Sequence, residues 1–271
     1  MKKPIGKLLA ALAAALCLLS VPAFAADDVA INETNFPDSI FRTYVSDNFD
    51  TDGNESLSTE EIAEIDYIDV ESMNIQGLQG IEYFENLKQL DCHDNYLTEL
   101  DVSKNTTLTK LYCYSNKLTS LDVSKNTALT ALSCGSNQLT ELNVSENTVL
   151  SYLDCVNNQL SELDVSKNAA LTTLNCGGNR MTELDVSKNT PLTNLGCYNN
   201  QLTSLDVSGA TALVVLNCDN NQLTELNVSG STALESLLCG GNQLTELDIS
   251  ENAALETMWC YDNRLMELGN L

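Results

Sequence analysis

The sequence is poor in histidine and in basic residues. Among its 271 residues it has one histidine, His93, and 13 lysines and arginines against 38 acidic residues, for a net charge of −25. Such acidity argues against binding to nucleic acid or to an anionic membrane. The lone histidine is expected in a turn with no nucleophile fixed beside it. The glutamates recur at one repeated position and share one environment, whereas paired-carboxylate catalysis needs two different ones, so we predict that the protein is not an enzyme.

Long apolar runs are also scarce. The run from Leu8 to Leu19 follows three lysines and precedes the small residues of Ala23-Phe24-Ala25, which is typical of a signal peptide over residues 1–25. A membrane anchor is the alternative, but about a dozen apolar residues are short for a span that needs about 20. Loss of the three leader lysines would take the net charge from −25 to about −28. We predict a secreted, extracellular or cell-surface protein with no membrane insertion after cleavage.

What the sequence has in abundance is a repeat. One cysteine recurs every 21 residues inside the frame L-x-x-L-x-C-x-x-N-x-L/M, and this spacing predicts a solenoid in which each coil supplies one short strand and one turn. The repeated cysteines are Cys92, Cys113, Cys134, Cys155, Cys176, Cys197, Cys218, Cys239 and Cys260. The predicted division is a signal peptide (1–25), a helical cap (26–64), an irregular first repeat (65–86), eight 21-residue repeats (87–254) and a partial terminal repeat (255–271).

The repeated cysteines have three interpretations. Neighbouring parallel strands lie about 4.8 Å apart with nearly parallel side chains, which leaves the Cβ atoms beyond the ~3.8 Å of a disulfide. A metal chain would need thiolates that converge on a tetrahedral centre, and a linear ladder does not provide this. We therefore favour buried thiols that pack as small hydrophobic groups beside the repeated leucines and valines. The asparagine three residues after each cysteine, from Asn95 to Asn263, is predicted to bond backbone groups of the turn.

The frame resembles the leucine-rich repeats of the internalins, some of which have 21-residue coils with a stacked cysteine ladder. The resemblance covers about Leu87 to Cys260. It implies an α/β solenoid of leucine-rich repeats with a parallel β-sheet on the concave face, used by an adhesin to bind its partners. Internalins also begin with a helical, EF-hand-like cap, and the resemblance extends to the head of this chain.

The head contains a second motif, D-T-D-G-N-E-S-L-S-T-E-E, at residues 50–61. It places oxygen ligands where an EF-hand loop has them, after a segment with apolar residues at helical spacing. Glu55 stands where the loop normally needs glycine, which should lower the affinity for calcium. A structural calcium ion and a metal-free helix pair that caps the first coil both remain open, and no other cofactor is predicted. The candidate calcium ligands are Asp50, Asp52, Asn54, Ser56, Ser58 and Glu61.

Candidate partner-binding residues lie on either side of the strand leucine and the cysteine, where side chains point outward and vary between coils. They are Lys110, Tyr112, Tyr114, Tyr152, Tyr198, Leu238, Trp259 and Tyr261. Exposed aromatic side chains on a preformed sheet offer a large contact area for little lost rotamer freedom. We predict an adhesin-like protein that binds a protein or glycan partner on a host or bacterial surface. The alternative is that scattered surface tyrosines have no role.

The C-terminal coil suggests a second function class. Four apolar residues are expected under a sheet end with no polar cap, namely Leu255, Met258, Leu265 and Leu268. This predicts either end-to-end self-association as a structural module or a chain that is a fragment of a longer surface protein.

Overall fold

A computed structural model describes residues 28–266 of the chain. The predicted signal peptide, residues 1–25, and the last five residues of the predicted terminal repeat, 267–271, lie outside the described part. Within residues 28–266, no helix is both long enough and apolar enough to cross a membrane.

The head consists of two helices and one small antiparallel sheet. Helix α1 is Ser39–Phe49 and helix α2 is Thr59–Ala63, while strand β1 (Val29–Ala30) pairs with strand β2 (Ser56–Leu57). The side chain of Asp38 begins α1 by accepting hydrogen bonds from the backbone N–H groups of the first turn. The helical spacing seen in the sequence before the acidic loop thus corresponds to α1.

Aromatic contacts join the head to the first coil. Phe41, Val45 and Phe49 form the buried side of α1. The ring of Phe49 lies 5.4 Å from that of Phe84 in an edge arrangement, and the ring of Phe36 lies 5.7 Å from that of Tyr83. The head therefore covers the N-terminal end of the hydrophobic core, as the terminal cap of a solenoid must.

Ten parallel strands form the main sheet, one from each coil. A separate pair of short parallel strands lies on the return side of two coils, and a short 3-10 helix, Ile81–Tyr83, precedes the second strand of the main sheet. The strands of the solenoid are β3 Tyr67–Asp69, β4 Gln89–Asp91, β5 Lys110–Tyr112, β6 Ala131–Ser133, β7 Tyr152–Asp154, β8 Thr173–Asn175, β9 Asn194–Gly196, β10 Ser204–Asp206, β11 Val215–Asn217, β12 Glu225–Asn227, β13 Ser236–Leu238 and β14 Thr257–Trp259.

Neighbouring strands of the main sheet pair in register, with the central leucine of one beside that of the next, as Leu132 is beside Leu153. The repeated leucines, valines and cysteines of the inner coils are buried in one continuous core. The predicted leucine-rich repeat solenoid with a parallel sheet is confirmed. Each coil covers both of its neighbours, so most of its apolar surface is buried only in the stack.

The predicted asparagine ladder bonds the turns of adjacent coils. The Nδ2 group of Asn158 donates to the carbonyl oxygens of Cys134 and Cys155, each at 3.1 Å. Its Oδ1 accepts from the backbone N–H of Leu139 at 3.0 Å. Both ends of the amide therefore pair backbone groups that the turn would otherwise leave buried without partners.

A second asparagine ladder was not predicted. Asn147 is fully buried on the return side, and its Nδ2 group donates to the carbonyl oxygens of Val123 at 3.0 Å and Asn126 at 2.9 Å. The position is occupied by alanine in one coil and serine in the next, at Ala210 and Ser231. Asparagine occupies it at Asn105, Asn126, Asn147, Asn168, Asn189 and Asn252.

The cysteines stack as a ladder of free thiols. Cys92 to Cys239 are buried, and Cys260 is partly exposed. Burial raises the pKa of the inner thiols, to about 12 at Cys197, so the reactive thiolate is scarce at neutral pH.

We expect Cys260 to be alkylated first in the folded protein, because the other repeated cysteines are both buried and protonated. Mass spectrometry after iodoacetamide treatment, with and without urea, measures this directly. In urea all of the repeated cysteines should react. Labelling of Cys155 as fast as Cys260 without urea would contradict the packing described above.

Candidate functional site

Three rows of side chains run along the outer face of the main sheet. In the coil of β5 the three rows contain Lys110, the first strand residue, Tyr112, the last strand residue, and Tyr114, the residue after the cysteine. Because consecutive strands pair in register, the equivalent residues of neighbouring coils lie side by side in each row. The face is therefore a surface on which neighbouring side chains come from sequence positions 21 residues apart.

A groove of about 540 Å³ opens on this face. Its residues come from four consecutive coils, and the small side chains of β6 lie between larger ones of β5 and β7. The groove therefore exists because the short side chains of Ala131 and Ser133 leave space between the tyrosines of the coils before and after them. The lining residues are Asp91, Tyr112, Tyr114, Ala131, Ser133, Tyr152 and Asp154.

The groove combines aromatic rings with carboxylates. Burial raises the pKa of the Asp154 carboxyl, although its oxygen accepts a hydrogen bond from the backbone N–H of Val156 at 3.1 Å. Burial also raises the pKa of Tyr152, and the negative charge of Asp154 acts in the same direction. The residues that line the groove include no lysine or arginine, and Asp91 is in contact with the imidazole of His93.

The structure separates the predicted partner-binding residues into two groups. Tyr112, Tyr114 and Tyr152 line the groove, and Lys110 is exposed on β5 without lining it. Asp91, Ala131, Ser133 and Asp154 were not predicted. They occupy the same rows as the predicted residues, so the register alone could have found them.

The second group lies at the other end of the sheet. Leu238 of β13 pairs in register with Trp259 of β14, a residue that is 57% exposed, and Tyr261 follows two residues later. Tyr198 lies between the two groups and belongs to neither.

Two glycines explain the position of two of the tyrosines. A Cβ atom on Gly177 would lie 2.7 Å from the ring of Tyr198, and one on Gly240 would lie 2.5 Å from the ring of Tyr261. Each ring therefore lies against the backbone of the preceding coil, in space that only glycine leaves free. The sequence signal, a glycine followed by a tyrosine one coil later in the same row, was missed.

The predicted calcium loop brings three of its six candidate ligands together. One carboxylate oxygen each from Asp50, Asp52 and Glu61 lies within 4.8 Å of the other two. The oxygen of the Asn54 side chain instead accepts hydrogen bonds from the N–H and hydroxyl of Ser56.

The last two candidate ligands also cap helix α2. The Ser58 hydroxyl accepts from the backbone N–H of Glu61, whose carboxylate in turn accepts from the N–H of Ser58 at 2.9 Å. Burial alone would raise the pKa of Glu61, but hydrogen bonds from Thr51 and Ser58 outweigh it and lower the pKa to about 2. Glu55 adopts a φ of 65°, in the left-handed region that glycine would favour.

No protein-family model matches the chain. Internalin J of Listeria monocytogenes is 43% identical over 71 residues, which are 26% of this chain and 8% of that relative's length. A solved structure described as the functional domain of InlJ from Listeria monocytogenes, with a cysteine ladder, is 30% identical and covers 90% of this chain and 73% of its own, with a TM-score of 0.47. The structure of internalin C2 from Listeria monocytogenes is 19% identical and covers 86% of this chain and 97% of its own, with a TM-score of 0.70.

The likeness to internalin C2 concerns the fold, and the likeness to internalin J concerns the sequence of the repeats. The first agrees with the parallel sheet of the solenoid, and the second agrees with the repeated sequence frame. The chain is an internalin-like leucine-rich repeat protein with a cysteine ladder.

Proposed function

We propose that this protein is an adhesin-like module that binds a protein partner through the outer face of its main sheet. The observation that carries the proposal is the groove, in which Tyr112, Tyr114 and Tyr152 stand beside Asp91 and Asp154. Tyrosine supplies large, rigid contact area together with a hydroxyl, and for this reason it is common among residues that dominate binding energy.

Charge favours a basic segment of a protein as the occupant. The net charge of the chain is −25, and the residues that line the groove include two carboxylates but no lysine or arginine. A lysine or arginine side chain could contact the tyrosine rings and the carboxylates together. A glycan remains the alternative partner, and the binding experiment separates the two.

The double substitution Tyr112→Ala/Tyr152→Ala is expected to weaken binding roughly 30-fold, as the loss of about 2 kcal/mol at the centre of an interface requires. Binding of labelled protein to epithelial cells, mucin, a glycan array and immobilised basic peptides would be compared with that of the parent. Tyr96→Ala is the matched control, because Tyr96 is 47% exposed but lies outside the groove. Unchanged circular dichroism would exclude unfolding as the cause.

Retained binding by the groove variant would contradict this location of the site. Loss only in a Trp259→Ala/Tyr261→Ala variant would place it at the second group instead. Binding to glycans but not to basic peptides would overturn the choice of partner.

The proposed location is outside the cell, after removal of residues 1–25, and N-terminal sequencing of exported protein tests it. End-to-end self-association is a separate proposal, for which light scattering over a range of concentrations should give a rising mass.

We further propose that the predicted loop binds a structural calcium ion with Asp50, Asp52 and Glu61 as its ligands. Their mutual closeness supports this assignment.

Replacing Glu55 by glycine is expected to raise the calcium affinity by up to about fivefold, because the ion would hold Glu55 in the left-handed region, where a side chain costs roughly 1 kcal/mol. Calorimetric titration of calcium into both proteins measures the change. Ser72→Gly is the matched control, because Ser72 has a φ of 56° but lies outside the loop. If neither the parent nor Glu55→Gly binds calcium, the head is a metal-free cap.

A further inference from the structure

The single histidine of the chain lies among three carboxylates at the N-terminal end of the sheet. Its Nδ1 atom is 2.5 Å from Oδ1 of Asp91, and its Nε2 atom is 3.3 Å from Oε2 of Glu71 and 3.8 Å from Oδ2 of Asp94. One carboxylate therefore faces one ring nitrogen, and two face the other. Carboxylate oxygens therefore lie near both nitrogens of one imidazole, whereas a single ion pair needs only one of them.

The register of the sheet creates this arrangement. Asp69 pairs with Asp91, so Glu71 and His93, each two residues further on, occupy the same row in adjacent coils. Asp94 follows directly, with a φ of 53° in the left-handed region. The cluster thus combines two neighbouring coils and does not depend on one flexible loop.

The imidazole is mostly buried against a neighbouring ring, whereas two of the carboxylates are exposed. The ring of Tyr114 stacks on that of His93 with centroids 4.3 Å apart and an interplanar angle of 16°. The His93 side chain is only 13% exposed, against 55% for Glu71 and 51% for Asp94. A fixed nitrogen ligand beside two adjustable oxygen ligands is an arrangement that a metal ion can complete with small side-chain rotations.

We propose that Nε2 of His93, with the carboxylates of Glu71 and Asp94, binds a divalent transition-metal ion such as Zn²⁺. Asp91 accepts the Nδ1 proton, which leaves the Nε2 lone pair for the metal, as outer carboxylates commonly do for metal-binding histidines. Ligand atoms about 2.0 Å from a tetrahedral zinc ion lie roughly 3.3 Å from one another. The distance from Nε2 to Glu71, 3.3 Å, meets this condition, and the 3.8 Å to Asp94 nearly does. The oxygens of Glu71 and Asp94 do not meet it with each other, so the exposed Asp94 side chain must rotate toward the ion.

The mixed nitrogen and oxygen donors select the metal. Imidazole nitrogen suits zinc, nickel and copper, whereas calcium and magnesium prefer oxygen ligands alone. The site is thus distinct from the calcium loop of the head. It also stands independently of partner binding, although Asp91 and Tyr114 line the groove as well, so the ion would fix one wall of it.

Zinc titration of the tag-free protein, followed by calorimetry and by ¹⁵N NMR of the imidazole, tests the proposal. The chain has a single histidine, so its ring signals need no assignment. We expect one zinc ion to bind, the Nε2 signal to shift and Nδ1 to remain protonated. Cobalt in place of zinc should give no intense thiolate charge-transfer band, which excludes binding to the cysteines.

Variants separate the ligands from the surrounding charge. His93→Gln is expected to weaken zinc binding at least about 30-fold, and Asp91→Asn by about 10- to 100-fold through the lost orientation of the ring. Glu162→Gln is the matched control, because it removes an exposed carboxylate that belongs to neither proposed metal site and should leave the zinc affinity unchanged. No saturable binding up to about 1 mM zinc, imidazole signals that zinc does not move, or equal binding by His93→Gln would overturn the proposal.

Discussion

Replacing Asn158 by alanine is expected to lower the free energy of unfolding by about 3–5 kcal/mol, because it leaves buried backbone groups of two coils without partners. The amide oxygen accepts from Leu139 N–H, and the amide nitrogen donates to the carbonyl oxygens of Cys134 and Cys155. Alanine can replace none of these bonds, and the turn is too buried for bulk water to do so. Urea denaturation followed by circular dichroism measures the loss.

Two further variants show whether the loss comes from these hydrogen bonds. Asn147→Ala in the second ladder should cost less, about 1–2 kcal/mol, because only the amide nitrogen of Asn147 is bonded and its buried oxygen has no partner within residues 28–266. Glu162→Ala changes an exposed side chain of the same coil as Asn158 and should stay within about 0.5 kcal/mol of the parent. Equal losses for Asn158→Ala and Asn147→Ala would mean that the bond to Leu139 adds nothing.

Replacing Gly230 by alanine is expected to destabilise the protein by about 3 kcal/mol or more through steric overlap. A Cβ atom there would lie 1.9 Å from the carbonyl oxygen of Ser208, so the backbone of one coil must move. That movement should also weaken the pairing of β10 with β12, including the bond from Val207 N–H to the carbonyl oxygen of Asn227 at 3.0 Å. Urea denaturation and hydrogen exchange at Val207 measure the two effects.

Gly209→Ala is the matched control, since Gly209 holds the same position one coil earlier. A Cβ atom on Gly209 would lie 3.5 Å from the carbonyl oxygen of Ser187, its nearest neighbour, and this is an ordinary van der Waals distance. We expect a change within about 0.5 kcal/mol and unchanged exchange at Val207. If both alanine variants are equally stable, the close approach at Gly230 does not constrain the fold.

The core was predictable from the sequence because it depends on positions that are the same in every coil. A leucine that meets its own copy on both sides has one environment, and a 21-residue period identifies it. The first asparagine ladder follows for the same reason. The second ladder obeys the period too, at Asn147 and its equivalents, but a polar residue on the return side carries no hydrophobic signal that would predict its burial.

The groove depends on differences between coils, which a repeat pattern averages away. Tyr112 and Tyr152 were predicted from their outward-facing strand positions. The space between them, however, results from the short side chains of Ala131 and Ser133 in the coil that separates them. Likewise, the cluster of His93 joins residues of two coils, and only the register between their strands brings them together. Reading such rows across coils, as well as along the chain, would have indicated both sites.

The close contact between the ring of Tyr198 and Gly177 limits how this protein could change its length by recombination. A coil can be removed without disturbing the core, because every coil presents the same buried residues to its neighbours. Loss of the coil of Gly177, however, would place Tyr198 after Val156 in the same row, where a side chain already occupies the space that the ring needs. Duplication and deletion of coils in this gene should therefore be tolerated best when a glycine and the tyrosine that covers it are inherited together.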